Sequence, residues 1–424
     1  PPWFTYSSIR NEDYQNILNA LAEKYEVKPD EVKNFTNLEI AAIFLAYCSR
    51  YFLKDDANLA FVLPRSFFSA DHHNNSRTGK SKGYKIINLW DLKDVKPLFR
   101  VPSCVFFVEK TEKQRRIASK GLPGKTFQGN LSAHNCNLYE TKELIEAEEN
   151  WFLRRQGKST AFSIKKSCSS KEKNPYKKSF KRGAEITPRN FYFIEFTQEI
   201  PPDWDDRIIN IQTSASSKKE AKKPWNLVDI NGRIESKFLY RTALAKSILP
   251  FALLKPDLIV LPVVINNTDG FKKLKLFSVK ELREEGFLNA SKWFQTVERF
   301  WEINKTAANE DLTAIDYLNY HNKLLSQNLN AEYVVIYNSS AKDANATIVN
   351  RNDLDLEFLV DTKAYVYFTL NSNEAYYLTA ILNSKIPNES MKDFQSKGLF
   401  GPRDVHKKIL DIYFPRFDET NEVH

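Results

Sequence analysis

Hydrophobic positions in the first part of the chain alternate between helical spacing and short continuous runs. In NLEIAAIFLAYCSRYFL, residues 37–53, apolar side chains recur at helical spacing behind a polar start, which predicts a helix. LAFVLP, residues 59–64, is a continuous apolar run of the kind typical of buried parallel strands. Residues 84–89 and SCVFFVE at 103–109 predict two further strands. The pattern therefore predicts α/β organisation.

Polar stretches interrupt this pattern. SADHHNNSRTGKSKG, residues 69–83, and SASSKKEAKK, residues 214–223, have no apolar periodicity, so we predict polar loops there. Between residues 113 and 182, ETKELIEAEENWFLRR predicts an acidic helix, and a run of basic residues follows it. We interpret 113–182 as a connector. Its basic run is either a solvated, flexible loop or a segment that lies along a phosphate backbone.

From residue 186 onward the chain becomes rich in aromatic and β-branched runs. FYFIEF, RIINIQT, YVVIYN and AYVYFTL predict strands, and residues 279–285 and 374–382 predict helices among them. This composition is typical of a mixed α+β domain. We therefore predict three parts, at residues 1–112, 113–182 and 183–424.

The charge balance favours an anionic partner. The 62 Lys and Arg residues exceed the 53 Asp and Glu residues, which gives a formal net charge of +9. The longest apolar stretch, residues 248–265, contains Lys255, Asp257 and three prolines, so it cannot cross a bilayer as an uninterrupted helix, and we predict a soluble protein. The cysteines show no CxxC spacing, which favours a reducing, intracellular compartment.

Several familiar chemical motifs are absent. GLPGKT at residues 121–126 has Ser119 where a phosphate-binding loop needs its first glycine, and the chain has no GxGxxG loop. His72 and His73 beside Asp71, and His134 near Cys136, have no second pair at metal-ligand spacing, so we predict no metal site. A Pro-Asp followed at short range by Glu-x-Lys, as in metal-dependent nucleases, is also missing.

The opening residues carry the most specific chemical signal. Behind an Asn or Asp, Pro1, Pro2 and Trp3 would resemble the (N/D)PP(aromatic) motif of methyltransferases that modify the exocyclic amino group of adenine. Adenine N6 is a poor nucleophile because its lone pair is delocalised into the ring. The resemblance implies that the Pro1 carbonyl accepts one amino hydrogen, that Pro2 fixes the backbone, and that Trp3 stacks on a base flipped from the duplex.

The same family resemblance extends along nearly the whole chain. Residues 37–68 resemble the helix, strand and VLP segment that follow the motif in adenine-N6 DNA methyltransferases, and LFRVPSCVFFVEK resembles their closing strand pair. FKRGAEITPRNFYFIEF is similar to the entry into the target-recognition domain of large restriction–modification enzymes of this group. EAYYLTAILNSKIPN and KGLFGPRDVHKKILDIYFPRFD are similar to the end of that domain.

The resemblance implies a fold, a cofactor and a partner. Residues 1–112 would be the C-terminal half of a Rossmann-like catalytic domain that uses S-adenosylmethionine, and 183–424 a domain that reads duplex DNA. The main cofactor motif of the family lies upstream of the first proline, so we expect a missing upstream half, or a partner chain that supplies it. We expect this chain alone to be inactive, and the whole protein to be cytoplasmic, in a prokaryotic restriction–modification or defence system.

Five basic residues are predicted DNA contacts: Arg182, Arg189, Arg403, Lys407 and Lys408. Two other functions remain open, namely a DNA-recognition module without catalysis and an RNA-modifying methyltransferase with the same motif chemistry. If the strands belong to a sheet whose first half is missing, the strand that follows Trp3 exposes an unpaired edge unless another segment covers it.

Overall fold

The computed structural model describes residues 2–112, 117, 120–166, 172–198, 207–395, 397–398, 401–402 and 405–421. The chain divides into two compact units, Pro1–Asn174 with Glu389–Tyr413 and Pro175–Asn388 with Phe414–His424. The boundary near residue 174 falls inside the predicted connector. Within the described ranges, no helix is both long enough and apolar enough to cross a membrane.

The helices are mostly short. They are α1 Glu12–Lys24, α2 Val32–Phe35, α3 Ala41–Tyr51, α4 Asn74–Thr78, α5 Arg189–Tyr192, α6 Ala215–Glu220, α7 Val279–Glu284, α8 Leu288–Asn304, α9 Ala314–Leu318, α10 Ser372–Asn383, α11 Lys385–Lys392 and α12 Val405–Lys408. The helices predicted near residues 37–53, 279–285 and 374–382 are confirmed as α3, α7 and α10.

Strands occupy much of both units. In the first part of the chain they are β1 Asn58–Pro64, β2 Gly83–Lys96, β3 Ser103–Thr111, β4 Leu122–Asn130, β5 Ile145–Gln156 and β6 Ser159–Ser163. From residue 175 they are β7 Lys181–Arg182, β8 Ile194–Phe196, β9 Ile208–Thr213, β10 Asn231–Glu235, β11 Leu239–Thr242, β12 Ile248–Leu249, β13 Ala252–Leu253, β14 Asp257–Val260, β15 Val263–Thr268, β16 Phe271–Leu276, β17 Tyr333–Asn338, β18 Ala346–Asn350, β19 Ala364–Thr369, β20 Lys397–Gly398 and β21 Gly401–Pro402.

A six-stranded mixed sheet with the order β1-β3-β2-β4-β5-β6 organises the first unit. β3 lies antiparallel between β1 and β2, and β2 pairs parallel with β4. The α/β class is therefore confirmed at the level of a mixed sheet with helices. The predicted parallel pairing of residues 59–64 is wrong, because β1 pairs with the antiparallel β3. An apolar run signals burial but does not encode the direction of the neighbouring strand.

Helix α3 packs against this sheet through a face of small and aliphatic residues. Ala42, Leu45 and Ala46 on this helix are fully buried. At the start of β2, Gly83 has a φ of 97°, and a Cβ there would lie 3.0 Å from the carbonyl oxygen of Ala46. Glycine is thus required both by the backbone conformation and by the close approach of α3.

Three polar stretches differ from their predictions. The acidic stretch predicted as a helix forms a short 3-10 turn at Glu140–Glu143 and then β5, which pairs with β4 and β6. Residues 69–83 contain a 3-10 turn at Asp71–His73 and then α4, and residues 214–223 contain α6. In β5, pairing on both sides outweighs the helical propensity of the Glu-rich sequence.

The second unit combines several small sheets around an aromatic core. β18-β17-β19-β7 form a four-stranded antiparallel sheet, and β10-β9-β8 form a three-stranded one. Helix α8 lies against β10, and the indole of Trp293 donates a hydrogen bond to the Phe191 carbonyl at 3.2 Å. The FYFIEF run is only partly a strand, because its first residues belong to α5 and its last three form β8.

Candidate functional site

The segment that carries the predicted stacking residue is held by backbone pairing. Residues 4–6 run antiparallel to residues 38–40, where Phe4 accepts a hydrogen bond from the amide of Ile40 at 3.0 Å. The amide of Tyr6 donates to the Leu38 carbonyl at 2.9 Å, and Thr5 and Glu39 form a bridge between these two contacts. The turn before α3 therefore sets the position of this segment.

Trp3 is anchored at one edge of its ring and is partly exposed. Its indole N–H donates to the carbonyl oxygen of Val62 in β1 at 3.1 Å. Its ring centroid lies 4.7 Å from that of Phe99, with the two planes inclined by 55°. The side chain is half-buried and packs against the core of the first unit. Pro2 is also half-buried, whereas Pro1 lies outside the described residues, so the roles of all three stay predictions.

A carboxylate and two imidazoles converge beside this segment. The Glu39 Oε2 atom lies 2.7 Å from Nε2 of His72 and also contacts Nε2 of His73, while the Ser66 hydroxyl donates to Oε1 at 2.7 Å. One ligand atom from each of the three residues Glu39, His72 and His73 lies within 4.8 Å of the others. His73 is fully buried and stacks on Phe67, with the ring centroids 3.7 Å apart. We call these three residues the Glu39 cluster.

Burial and proximity set the charge states of the Glu39 cluster. Burial lowers the pKa of His73 to about 4, although Glu39 opposes this shift. Burial alone would raise the pKa of Glu39, but His73 and His72 beside it hold that pKa well below its usual range. An ionised carboxylate can only accept hydrogen bonds, so in the metal-free cluster both Nε2 atoms carry the proton. The buried Nδ1 of His73 then has no partner among the described residues.

Sequence reasoning found the histidines but missed Glu39. In the sequence the carboxylate next to His72 and His73 is that of Asp71. In the structure this carboxylate pairs with Lys408 instead. Glu39 lies 33 residues before His72 and comes from a different element. No spacing pattern connects the two, although the antiparallel pairing of residues 4–6 with 38–40 brings the cluster next to the predicted stacking segment.

The structure places three of the predicted DNA contacts within ion pairs. Arg182 donates to the Thr362 carbonyl at 3.1 Å, and its side chain is 43% exposed. Arg189 pairs with Glu220 at 3.0 Å. Lys408 is buried, and its ammonium nitrogen lies 3.0 Å from Asp71, so a contact with DNA would require this pair to open. Arg403 and the side chain of Lys407 lie outside the described residues. DNA contact by all five stays a prediction.

Comparison with known protein families finds no family that matches, and no curated protein matches either. Among solved structures, the type IIG restriction endonuclease BpuSI is 12% identical with a TM-score of 0.30, over 100% of this chain and 47% of BpuSI. The DrdV–DNA complex is 12% identical with a TM-score of 0.37, over 87% of this chain and 35% of that chain.

A third similar structure is that of LlaBIII, an ATP-dependent type ISP restriction–modification enzyme bound to DNA. It is 9% identical with a TM-score of 0.29, over 97% of this chain and 36% of LlaBIII. This chain thus spans less than half the length of each of the three structures. TM-scores this low carry no argument about the function of this chain.

Proposed function

We propose that this chain is the C-terminal part of a site-specific, S-adenosylmethionine-dependent adenine-N6 DNA methyltransferase from a restriction–modification or related defence system. The first unit would hold the flipped adenine and the second unit would read the DNA sequence. The observation that carries the proposal is the geometry of Trp3. Trp3 belongs to the Pro-Pro-Trp motif. The hydrogen bond from its indole N–H to Val62 fixes one edge of the ring, and the side chain is only half-buried.

A base-stacking side chain must be held in place before the base arrives. The backbone bonds of Phe4 and Tyr6 fix the main chain on either side of Thr5, and the bond from the indole N–H to Val62 fixes the ring. Because the N–H lies at the ring edge, this bond covers neither face of the ring. Phe99 packs against the ring with its centroid 4.7 Å away, and we propose that the adenine stacks on the part of the half-buried side chain that stays accessible. An extruded adenine recovers on such a surface part of the stacking energy that it loses on leaving the duplex.

The open side of β1 also supports the proposal. In the described part of the chain β1 has β3 as its one neighbouring strand, and the carbonyl of Val62 in β1 accepts from the Trp3 indole rather than from a further strand. An unpaired edge is a template for a further strand. We propose that the part of the sheet that binds the cofactor joins β1 there, immediately beside Trp3, whose indole is bonded to Val62 on this strand.

The residues of this chain do not by themselves fit S-adenosylmethionine. The sequence has no GxGxxG loop, and we assign no described residue to the cofactor. The contribution that we propose for this chain is to bind and orient the base. Trp3 would stack on the adenine ring, and the Pro1 carbonyl would accept one amino hydrogen of N6, beside an oxygen of the preceding residue.

We propose that the second unit contacts duplex DNA with basic side chains, including Arg182 and Arg189. Both are partly exposed at the surface, and their present partners are carboxylate groups that phosphates could replace. A surplus of basic residues strengthens non-specific attraction to DNA and makes binding weaken as salt concentration rises. Contacts to bases would then give the sequence preference.

The decisive experiment uses the full gene that contains this chain. It is expressed in a host that lacks adenine methylation, and the host DNA is sequenced by a method that detects N6-methyladenine. We expect one recurring modified sequence motif. Trp3→Ala should abolish or greatly reduce the modification, because the stacking surface is removed. Trp3→Phe should retain part of it, because a ring remains although the bond to Val62 is lost.

Protein level and thermal stability must be measured for both variants, since Trp3 also packs against the core. Unmodified DNA in cells that contain soluble, folded wild-type protein would contradict the proposal and favour a DNA-binding role without catalysis. Equal methylation by wild type and Trp3→Ala would show that a methyltransferase is present but that Trp3 is not its stacking residue. Methylated RNA with unmodified DNA would favour the RNA-modifying alternative.

A further inference from the structure

We propose that the Glu39 cluster is a binding site for a divalent transition-metal ion such as Zn²⁺, with Glu39, His72 and His73 as protein ligands. The site does not depend on the proposed methyltransferase function. It rests on the convergence of one carboxylate oxygen and two imidazole nitrogens, all within 4.8 Å of one another.

The ligand types select the class of ion. Two imidazole nitrogens and one carboxylate are a combination that binds Zn²⁺ and leaves a fourth position open, whereas Mg²⁺ and Ca²⁺ prefer ligand sets made of oxygen. His73 is fully buried, but the side chain of His72 is 18% exposed. A water molecule could therefore reach the fourth position from the His72 side.

The surroundings orient the ligands as a metal site requires. Ser66 donates to Oε1 of Glu39 and leaves Oε2 directed at both histidines. Stacking on Phe67 fixes the ring plane of His73, and the two imidazole centroids lie 4.5 Å apart in an edge-to-face arrangement. Hydrogen bonds and packing that hold the ligands in place are the usual support of a metal centre.

Only a small movement separates this arrangement from a coordinated one. Ligands at about 2.0–2.1 Å from a tetrahedral Zn²⁺ stand roughly 3.3 Å apart. The present separation of His72 Nε2 and Glu39 Oε2 is 2.7 Å. For this pair a shift of roughly half an ångström would reach the coordinated separation, and all three ligand atoms already lie within 4.8 Å of one another. A neutral imidazole that binds a metal through Nε2 carries its proton on Nδ1, so binding of the ion would move each imidazole proton from Nε2 to Nδ1.

A bound ion would also stiffen the neighbouring N-terminal segment. Glu39 pairs through its backbone with Thr5, and Ile40 bonds to Phe4. Fixing the Glu39 side chain would therefore restrict the turn on which this segment rests.

The test uses the full chain without a polyhistidine tag, stripped with a chelator and then titrated with Zn²⁺ against a chromogenic competitor. We expect one Zn²⁺ per chain and a visible absorption spectrum of tetrahedral Co²⁺ when cobalt is used. His72→Ala and Glu39→Gln should each weaken Zn²⁺ binding by at least roughly 100-fold, since each removes a direct ligand. Zn²⁺ should raise the melting temperature of the wild type.

The matched control is His134→Ala. His134 is exposed, its Nδ1 contacts the Leu98 carbonyl at 2.8 Å, and it is not one of the three converging ligands. Its removal should leave Zn²⁺ affinity unchanged. The inference is overturned if the wild type binds no stoichiometric Zn²⁺, or if folded His72→Ala binds it as tightly as the wild type. The wild-type titration decides the question even if a variant fails to fold, and neither result depends on methylation.

Discussion

Two polar segments of similar appearance have opposite structural roles. The first polar segment, residues 69–83, and the second polar segment, residues 214–223, both lack apolar periodicity and both predict loops. In the first segment only Lys80 is exposed, and in the second segment most side chains are exposed. The comparison shows that a polar sequence can form part of a unit's interior when distant groups satisfy its hydrogen bonds.

The interior role of the first segment depends on its charged groups. Arg77 is fully buried, and its guanidinium donates to the carbonyls of Phe67 at 3.0 Å and Ala70 at 2.8 Å and to the hydroxyl of Thr160 at 3.2 Å. Burial lowers the pKa of Arg77 to about 9. Asp71 supplies the negative partner of the buried Lys408. The segment thus contacts β6, the last strand of the sheet order, through Thr160 and contacts α12 through Lys408.

The second segment is a surface helix with local support. Ser214 caps α6 by accepting from the amide of Ser217 at 3.2 Å. Lys218 pairs with Asp229 at 3.1 Å, and the two side chains are 34% and 59% exposed. These contacts are individually weak, because solvent competes for each of them. Substitutions in the two segments should therefore have very different effects on stability.

The largest effect is expected for Arg77→Met. Methionine fills the space of the aliphatic stem but removes all three hydrogen bonds that the guanidinium donates. The Phe67 carbonyl loses this donor, whereas the Ala70 carbonyl keeps the amide of His73 at 3.1 Å. A buried carbonyl without a donor costs about 1–3 kcal/mol, and with the two other lost bonds the free energy of unfolding should fall by about 3 kcal/mol in urea denaturation. Arg189→Met is the surface control and should cost about 0.5 kcal/mol. If Arg77→Met is as stable as wild type, the cost of burying the guanidinium offsets its hydrogen bonds.

A smaller effect is expected for Asp71→Asn. It preserves shape but leaves the Lys408 ammonium, only 3% exposed, without its counter-charge. Because the Asp71 side chain is 33% exposed, we expect a loss of about 2 kcal/mol, less than for a fully buried pair. The double variant with Lys408→Met should be more stable than Asp71→Asn alone. Additive losses in this double-mutant cycle would show that the pair does not couple energetically.

In the second segment the largest expected effect is that of Ser214→Ala. It removes the side-chain oxygen that accepts from the Ser217 amide and should cost about 1 kcal/mol, the usual loss for a helix cap. Ser216 lies two residues after Ser214 and is exposed. Ser216→Ala should change the free energy of unfolding by less than about 0.5 kcal/mol. Equal effects of the two variants, measured by urea denaturation, would mean that the cap does not stabilise α6.

The smallest effect is expected for Lys218→Ala. The pair with Asp229 is exposed, so its coupling energy in a double-mutant cycle should be about 0.2–1 kcal/mol and should decrease in high salt. A coupling energy above this range, or one that does not change with salt concentration, would mean that this pair does not differ in strength from the buried pair of Asp71 and Lys408.

Much of the secondary structure follows from local sequence. The helical spacing in residues 37–53 and the apolar runs at 59–64 and 103–109 specify α3, β1 and β3, because the period of the apolar side chains matches one buried face. The direction in which β1 pairs with its neighbouring strand could not be predicted from the local sequence. Nothing local in β1 states that its neighbour in the sheet is β3, which comes about forty residues later and runs antiparallel.

The candidate site shows the same division. The Pro-Pro-Trp motif could be identified from the sequence, and the role that we propose for it follows from the types of its residues. Glu39, by contrast, becomes a neighbour of His72 and His73 only in the folded unit, where its carboxylate contacts both imidazoles. Its neighbours in sequence give no hint of this contact.

The sequence by itself determined the positions of the main helices and strands, the mixed α/β character and the presence of the Pro-Pro-Trp stretch, for which we propose a role in holding adenine. The period of the apolar side chains and the residue types are local features, so they predict helices and strands without knowledge of the tertiary structure. Tertiary structure alone decided strand order, the burial of Arg77 and Lys408 and the assembly of the Glu39 cluster. Each of these depends on partners that are distant in sequence, and a buried charge is tolerated only where such partners meet it.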